Sequence, residues 1–311
     1  MMNLKGKDII SIRDFKKGEI KLILDAAEKM EPYAKGEKSS RLMEGKILGT
    51  LFFEPSTRTR LSFTAAMQRL GGEVMGFTGT GTTSISKGES LRDTIKVVER
   101  YCDIIVMRHP VEGSSRLAAE VSVKPIINGG DGANQHPTQT MLDLYTIRKL
   151  KGKIAGLNVA LLGDLKYGRV MRSLAYGLSM FDANLTLISP PNLEMSRDVI
   201  REIREKFKKT PFETNDIDAG LRRADVIYIC RIQKERFEDK LEAEKIQKSF
   251  RITPEVLEQC KDDIAVLHPL PKVMEIDPRV DGMKYAKYFD QTFYGVPVRM
   301  AILGLISGVI K

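Results

Sequence analysis

Apolar residues along this chain recur with two different spacings, and the alternation of the two lays out a series of helices and strands. Ile20, Ile23, Leu24, Ala27 and Met30 are spaced for one face of a helix over Gly18 to Lys35. The apolar run Lys46 to Phe53 reads as a strand that stops at Glu54-Pro55-Ser56, where Ser56 can cap a helix ending near Gly71-Gly72. Further segments follow in turn: a strand at Val74 to Phe77, a helix at Glu89 to Tyr101, a strand at Asp103 to Met107, a helix from Glu112, and a strand at Pro125 to Asn128. A helix over Pro137 to Leu150 leads to Lys151-Gly152-Lys153, after which the pattern restarts. Strands are then expected at Asn158 to Leu162, Leu185 to Ile188, Asp225 to Ile229 and Ile264 to Leu267. Strands alternating with helices argue for parallel sheets covered by helices on both faces.

The fold class expected is therefore α/β, with two doubly wound parallel-sheet domains hinged near residues 137–150 at a shared active-site cleft. A length of 311 residues agrees with two domains at roughly 150 residues each. The expected division is 1–136 plus 290–311 for the first and 137–289 for the second.

Composition narrows the functional classes. Hydrophobic residues make up 42% and charged residues 29%, enough of each for a globular protein with a real core. No apolar run approaches the ~20 residues of a membrane span, and Met300 to Ile310 fits a docked terminal helix. The amino-terminal residues carry Lys5, Lys7 and Asp8 and no apolar signal core, so a cytoplasmic location is expected. The net charge of +9 raises the question of nucleic acid, yet basic and acidic residues are interleaved, as in Arg201 to Lys209. A small polyanionic substrate suits that balance as well. Cys102, Cys230 and Cys260 are far apart and form no CxxC pair, so they read as structural thiols, with no metal cage and no disulfide framework.

Candidate chemistry starts at Ser56-Thr57-Arg58-Thr59-Arg60, between a strand end and a helix start. The open N–H groups of a helix amino end favour an anion, and three hydroxyls with two guanidinium groups add donors suited to phosphate oxygens. Each of the three histidines precedes proline: His109-Pro110, His136-Pro137 and His268-Pro269. His109 and His268 read as structural, whereas His136 stands at a helix start between Gln135 and Gln139, which offer neutral donors to a carbonyl oxygen. Gly79 to Gly88, rich in Gly, Ser and Thr, reads as a mobile loop carrying Lys87. Asp164 to Arg169 and Arg231 to Arg236 each follow a strand, so Arg169 and Arg231 either clamp a dicarboxylate or make surface ion pairs.

Six motifs in order resemble the aspartate carbamoyltransferase family from about residue 5 to the carboxyl end. They are Phe53 to Arg60, Met107-Arg108-His109-Pro110, Gly130 to Gln139, Gly163 to Arg169, Arg231 to Arg236, and His268-Pro269-Leu270-Pro271. The resemblance implies an enzyme that joins carbamoyl phosphate to the α-amine of L-aspartate, without a metal or an organic cofactor. It implies that Ser56, Thr57, Arg58 and Thr59 hold the phosphate, that Arg108 and His136 meet the carbonyl oxygen, and that Gln139 meets the amino group. Ser84 and Lys87 would reach a neighbouring subunit's site, making the active unit a homotrimer, although Thr82, Thr83 and Ser86 are alternatives to Ser84. Aspartate would be bound by Lys87, Arg169, Arg231, Gln233, the Leu270 carbonyl and Pro271, and Glu54 would join the domains on closure through Arg169 and Arg236. A zinc-containing regulatory chain in a larger allosteric holoenzyme is a partner that the resemblance allows.

Lys272 and Met274 stand where that family commonly has Arg and Asp, and Val170-Met171-Arg172 replaces a more usual Thr-Val-His. An ornithine-type carbamoyltransferase would share the Ser56 to Arg60 turn, but its His-Cys-Leu-Pro and Ser-Met-Gly motifs are absent. A catalytically silent binding paralogue would be expected to lack Arg58, Lys87 or His136, and all three are present. No aromatic-studded basic face marks a nucleic-acid module.

Overall fold

The computed structural model describes residues 3–81, 83–232, 244, 246 and 249–310. The chain divides into two compact units, one running to Tyr145 and resuming at Phe293, the other spanning Thr146–Thr292.

The first unit holds four strands, β1 (Ile47–Phe52), β2 (Glu73–Thr78), β3 (Ile104–His109) and β4 (Ile126–Asp131). All pair in parallel, in the order β2-β1-β3-β4. Strands β1, β3 and β4 are buried along most of their length because helices cover both faces, which is why they read as continuous apolar runs. Its helices are α1 (Lys17–Lys35), α2 (Thr57–Arg69), α3 (Leu91–Val98) and α4 (Ser114–Val121). Leu51, Phe53, Ile95, Ile105, Met107, Ala118 and Ile126 form one apolar cluster of this unit.

The chain leaves the first unit within α5 (Pro137–Lys151). The second unit holds β5 (Asn158–Gly163), β6 (Asn184–Ile188), β7 (Phe212–Thr214), β8 (Val226–Cys230) and β9 (Ala265–Leu267). These strands are again all parallel, in the order β7-β6-β5-β8-β9. Its helices include α6 (Arg169–Met180), α7 (Arg197–Phe207), α8 (Ile217–Leu221) and α9 (Pro254–Leu257). Ala160, Leu162, Ile188, Ile227, Ile229, Val266 and Tyr288 are at the heart of its core. The chain returns to the first unit within α10 (Tyr288–Ser307).

Both sheets have the doubly wound form expected from the alternation of strands and helices. In each, the winding reverses beside the strand laid down first, between β1 and β3 in one sheet and between β5 and β8 in the other. Successive connections there run to opposite faces, leaving a crevice beyond the strands' carboxyl ends where open α/β sheets take their ligands. Among the described residues, no helix is long and apolar enough to cross a membrane.

Two expectations differ in detail. The terminal helix starts at Tyr288, well before Met300, and Pro297 lies inside it, so the proline that interrupts the apolar pattern in sequence does not end the helix. The edge strand β7 was not expected: it is three residues long and mostly solvent-facing, so its composition carries no burial signal.

Candidate functional site: two anion-ready crevices

In the first unit, β1 ends at Phe52 and the chain turns through Glu54-Pro55-Ser56 into α2. Ser56 is the N-cap residue in extended backbone, and its hydroxyl makes no capping hydrogen bond. Thr57, Arg58 and Thr59 form the first turn, where backbone N–H groups have no partner within the helix. Arg58 is open to solvent on one side, yet burial of its guanidinium holds its pKa below the ordinary arginine value. Such a partly desolvated cation attracts an anion more strongly than one in free water.

Across the switch point, β3 ends with Arg108 and His109. Arg108 donates through Nη1 to the Gly129 carbonyl at 3.0 Å, and its Nε lies 2.8 Å from Glu54 Oε1. A side chain at Gly129 would meet Thr59 Cγ2 at 3.4 Å, so the phosphate turn and Arg108 share one neighbour. Glu54, expected from the resemblance to join the domains, is thus seen paired with Arg108 within the first unit.

At the end of β4, Asp131 organises the loop that carries His136. Its buried carboxylate accepts from Asn128 Nδ2 at 2.8 Å, Gln135 N at 3.1 Å, Gly113 N at 2.9 Å and Asn134 Nδ2 at 3.0 Å. His136 is buried, and its carbonyl accepts from Gln139 N and Thr140 N as α5 begins. Gln139 Nε2 donates to Asp143 Oδ1 at 2.9 Å, one turn further along α5. Ser56 to Thr59 and Arg108 therefore follow or end the neighbouring strands β1 and β3 at their carboxyl ends, and His136 stands in the loop after β4.

His109 has the structural role expected for it. Its Nδ1 accepts from Val111 N at 3.0 Å and lies 2.8 Å from Ser114 Oγ, while the ring packs on Phe53. Burial lowers its pKa, which keeps the ring neutral. Ser84 and Lys87, expected on a mobile loop, lie on a 3₁₀ turn over Ser84–Lys87, with Ile85 packed against the core. Both side chains face solvent, as do Thr57 and Ser86, and Thr82 lies outside the described residues.

In the second unit, β5 and β8 approach so closely that a Cβ at Gly163 would land on the Cys230 carbonyl oxygen. Gly163 also has φ 121°, which only glycine adopts readily. The loops leaving these two strands therefore start side by side. One carries Asp164, which accepts from Tyr167 N at 2.8 Å, and then Arg169 at the start of α6. The other begins with Arg231, and both arginines are half-buried. Gln233 and Arg236 lie outside the described residues. Burial pushes the neighbouring Cys230 thiol up to about 12, so it is no nucleophile near neutral pH.

After β9, the His268-Pro269-Leu270-Pro271 turn is held by a residue that no motif flagged. Leu270 N–H donates to His268 Nδ1 at 2.7 Å. An imidazole that accepts at Nδ1 carries its proton on Nε2, which lies 2.8 Å from Glu275 Oε1. Glu275 also accepts from Val273 N and Met274 N. Burial alone would raise the Glu275 pKa, but the hydrogen bond from His268 and backbone donors, Val273 N–H among them, hold it below the ordinary value. Leu270 sits at φ 56°, a left-handed conformation costing a branched residue about 1–2 kcal/mol. The His268 bond offsets that strain. Lys272 reaches Asp281 at 3.0 Å, which ties down the same turn from its far side.

Two open parallel sheets, each with arginines at its switch point, define a protein built to hold two small anionic molecules. The chain belongs to the aspartate/ornithine carbamoyltransferase family: the carbamoyl-P binding domain of that family matches residues 7–149 and the Asp/Orn binding domain matches 155–306. The aspartate carbamoyltransferase catalytic subunit of Thermococcus kodakarensis is 55% identical over 309 residues, covering 99% of each chain. The catalytic subunit of M. jannaschii aspartate transcarbamoylase superposes with a TM-score of 0.91 at 51% identity, over 97% of this chain and 98% of that one. Aspartate transcarbamoylase from Trypanosoma cruzi, solved with N-(phosphonacetyl)-L-aspartic acid, gives a TM-score of 0.92 at 37% identity, over 97% of this chain and 96% of the other.

Proposed function

We propose that this chain is an aspartate carbamoyltransferase catalytic subunit, transferring the carbamoyl group of carbamoyl phosphate to the α-amine of L-aspartate. The single observation behind the choice of acceptor is the pair Arg169 and Arg231, half-buried at the adjacent ends of β5 and β8. Two guanidinium forks match a substrate with two carboxylates, whereas ornithine would bring a second cation.

Carbamoyl phosphate binds the first unit, with its phosphate on Ser56, Thr57, Arg58 and Thr59 and its carbonyl oxygen toward Arg108 and His136. Aspartate is held in the second unit by Arg169, Arg231, Gln233, the Leu270 carbonyl and Pro271. The unprotonated amine attacks the carbamoyl carbon, placing negative charge on the carbonyl oxygen. As the carbon–oxygen bond to phosphate breaks, that charge passes to the leaving phosphate, which takes up the amine proton. Arg58, Thr59, Arg108 and His136 are donors fixed in advance around the charge that develops, and fixed donors stabilise a transition state without reorganising. No covalent enzyme intermediate is required, since holding two reactants in register removes much of the barrier.

The same reading extends to assembly and setting. Ser84 and Lys87 complete a neighbouring subunit's site in a homotrimer, consistent with side chains that face solvent on a turn anchored by Ile85. Glu54 exchanges Arg108 for Arg169 and Arg236 when substrates bind. On this reading the carbamoyl phosphate domain takes 1–136 plus 290–311 and the aspartate domain 137–289. The product is carbamoyl aspartate, the committed step of pyrimidine synthesis in the cytoplasm, and a zinc-containing regulatory chain completes an allosteric holoenzyme. The decisive experiment supplies purified chain with carbamoyl phosphate and either aspartate or ornithine. Carbamoyl aspartate should form and citrulline should not; the reverse outcome overturns the acceptor assignment.

A further inference from the structure

The first unit buries an arginine that the proposed reaction does not use. Arg299, on α10, is almost wholly enclosed, and its Nε has no hydrogen-bond partner among the described residues. Its guanidinium stacks 4.9 Å from the ring centre of Phe63, on the same helix as the phosphate turn. Burial pulls its pKa down to about 10, and attraction to Asp143 works against that fall. Gly295 lies one turn earlier on α10; a side chain there would run into the Arg299 guanidinium and touch Leu142 Cδ2 at 3.5 Å. Glycine thus leaves the space in which Arg299 folds back toward α5, where Leu142 precedes Asp143.

Asp143 is itself fully buried and accepts from Gln139 Nε2 at 2.9 Å. We propose that Asp143, backed by Arg299, is a positioning residue that fixes which end of the Gln139 carboxamide meets the acyl donor, and so lets the site distinguish an amino group from a methyl group. The inference rests on reading the first unit as the carbamoyl phosphate site.

A glutamine side chain has two ends of nearly equal size, an acceptor oxygen and a donor nitrogen. An ionised carboxylate accepts only, so Asp143 selects the nitrogen and leaves Oε1 pointing the other way. An acceptor presented there suits the N–H of a carbamoyl group. A methyl in the same place donates no hydrogen bond and leaves the oxygen desolvated and unpaired, the situation in which a polar site discriminates most strongly. Attraction between Arg299 and Asp143 favours the ionised carboxylate on which the selection depends.

Acetyl phosphate, identical in its phosphate and carbonyl oxygen but bearing CH3 for NH2, isolates this term. Asp143→Asn keeps the shape but can turn its own NH2 toward Gln139, so the carboxamide loses its fixed orientation. In this variant, kcat/KM for carbamoyl phosphate should fall about tenfold, a difference of about 1.4 kcal/mol, while that for acetyl phosphate changes less than twofold. An equal fall for both donors, or an unchanged ratio, overturns the proposal. Arg299→Lys keeps a cation and an apolar stem and is the milder second variant, expected to narrow the ratio about threefold; no narrowing there also overturns it. A wild-type chain that forms no carbamoyl aspartate would instead refute the proposed function, and the two failures are told apart by that control.

Discussion

His268 and Glu275 form a buried pair, Nε2 to Oε1 at 2.8 Å, that holds the Leu270 turn in its left-handed backbone. Glu275→Gln removes the charged acceptor of His268 and weakens the hold on Val273 and Met274. The loss should be about 1.5–3 kcal/mol in urea unfolding, and the aspartate KM should rise through the loosened Leu270 carbonyl.

The same carboxylate gives a pH dependence. Its folded pKa is depressed below the ordinary value of 4.5, so its contribution to stability is complete above that pH and is lost as pH falls through the lower folded value. Acid unfolding of the wild type should therefore show a stability loss below about pH 4.5 that Glu275→Gln lacks. Parallel acid profiles for the two proteins would assign the loss to other carboxylates.

Arg58→Ala tests the phosphate turn. Removing one fixed donor from developing charge typically costs 10²–10³ in turnover, and a loss of about that size is expected with an unchanged circular dichroism spectrum. Arg58 is open to solvent on one side, and an unchanged spectrum separates loss of the donor from loss of the fold.

Arg231→Ala addresses the aspartate clamp. Loss of one charge-assisted fork should raise the aspartate KM on the order of tenfold or more while leaving the carbamoyl phosphate KM within about twofold. A steady-state titration of each substrate with the other saturating measures both.

Shared sites make a qualitative prediction. Arg58→Ala and Lys87→Ala chains, each nearly inactive alone, should regain activity when dissociated, mixed and reassembled, because some sites then receive both native residues. Mixtures no more active than their parts would mean that each chain completes its own site.

The architecture was legible in the sequence because parallel strands buried on both faces announce themselves as apolar runs, as at Lys46 to Phe53 and Asn158 to Leu162. The phosphate turn was equally legible, since hydroxyls and arginines at a helix start are a local pattern. What stayed hidden depends on distance in space. Glu275 gains its meaning only when it folds back onto His268, and Asp131 only when Gly113, from a separate loop, adds its N–H to the donors of nearby Asn128 and Gln135. Asp143 lies four residues after Gln139, a spacing visible in sequence, but its burial and the approach of Arg299 from a helix more than 150 residues away were not.

The path of the chain also sets an order of events during synthesis. The second unit is one uninterrupted stretch and is complete once Thr292 has emerged. The first unit, although it begins the sequence, lacks Arg299 and the rest of the returning helix until translation passes Phe293. A ribosome that stalls short of that point leaves Phe63 and its neighbours without their cover, so the half of the molecule made first is the half that matures last.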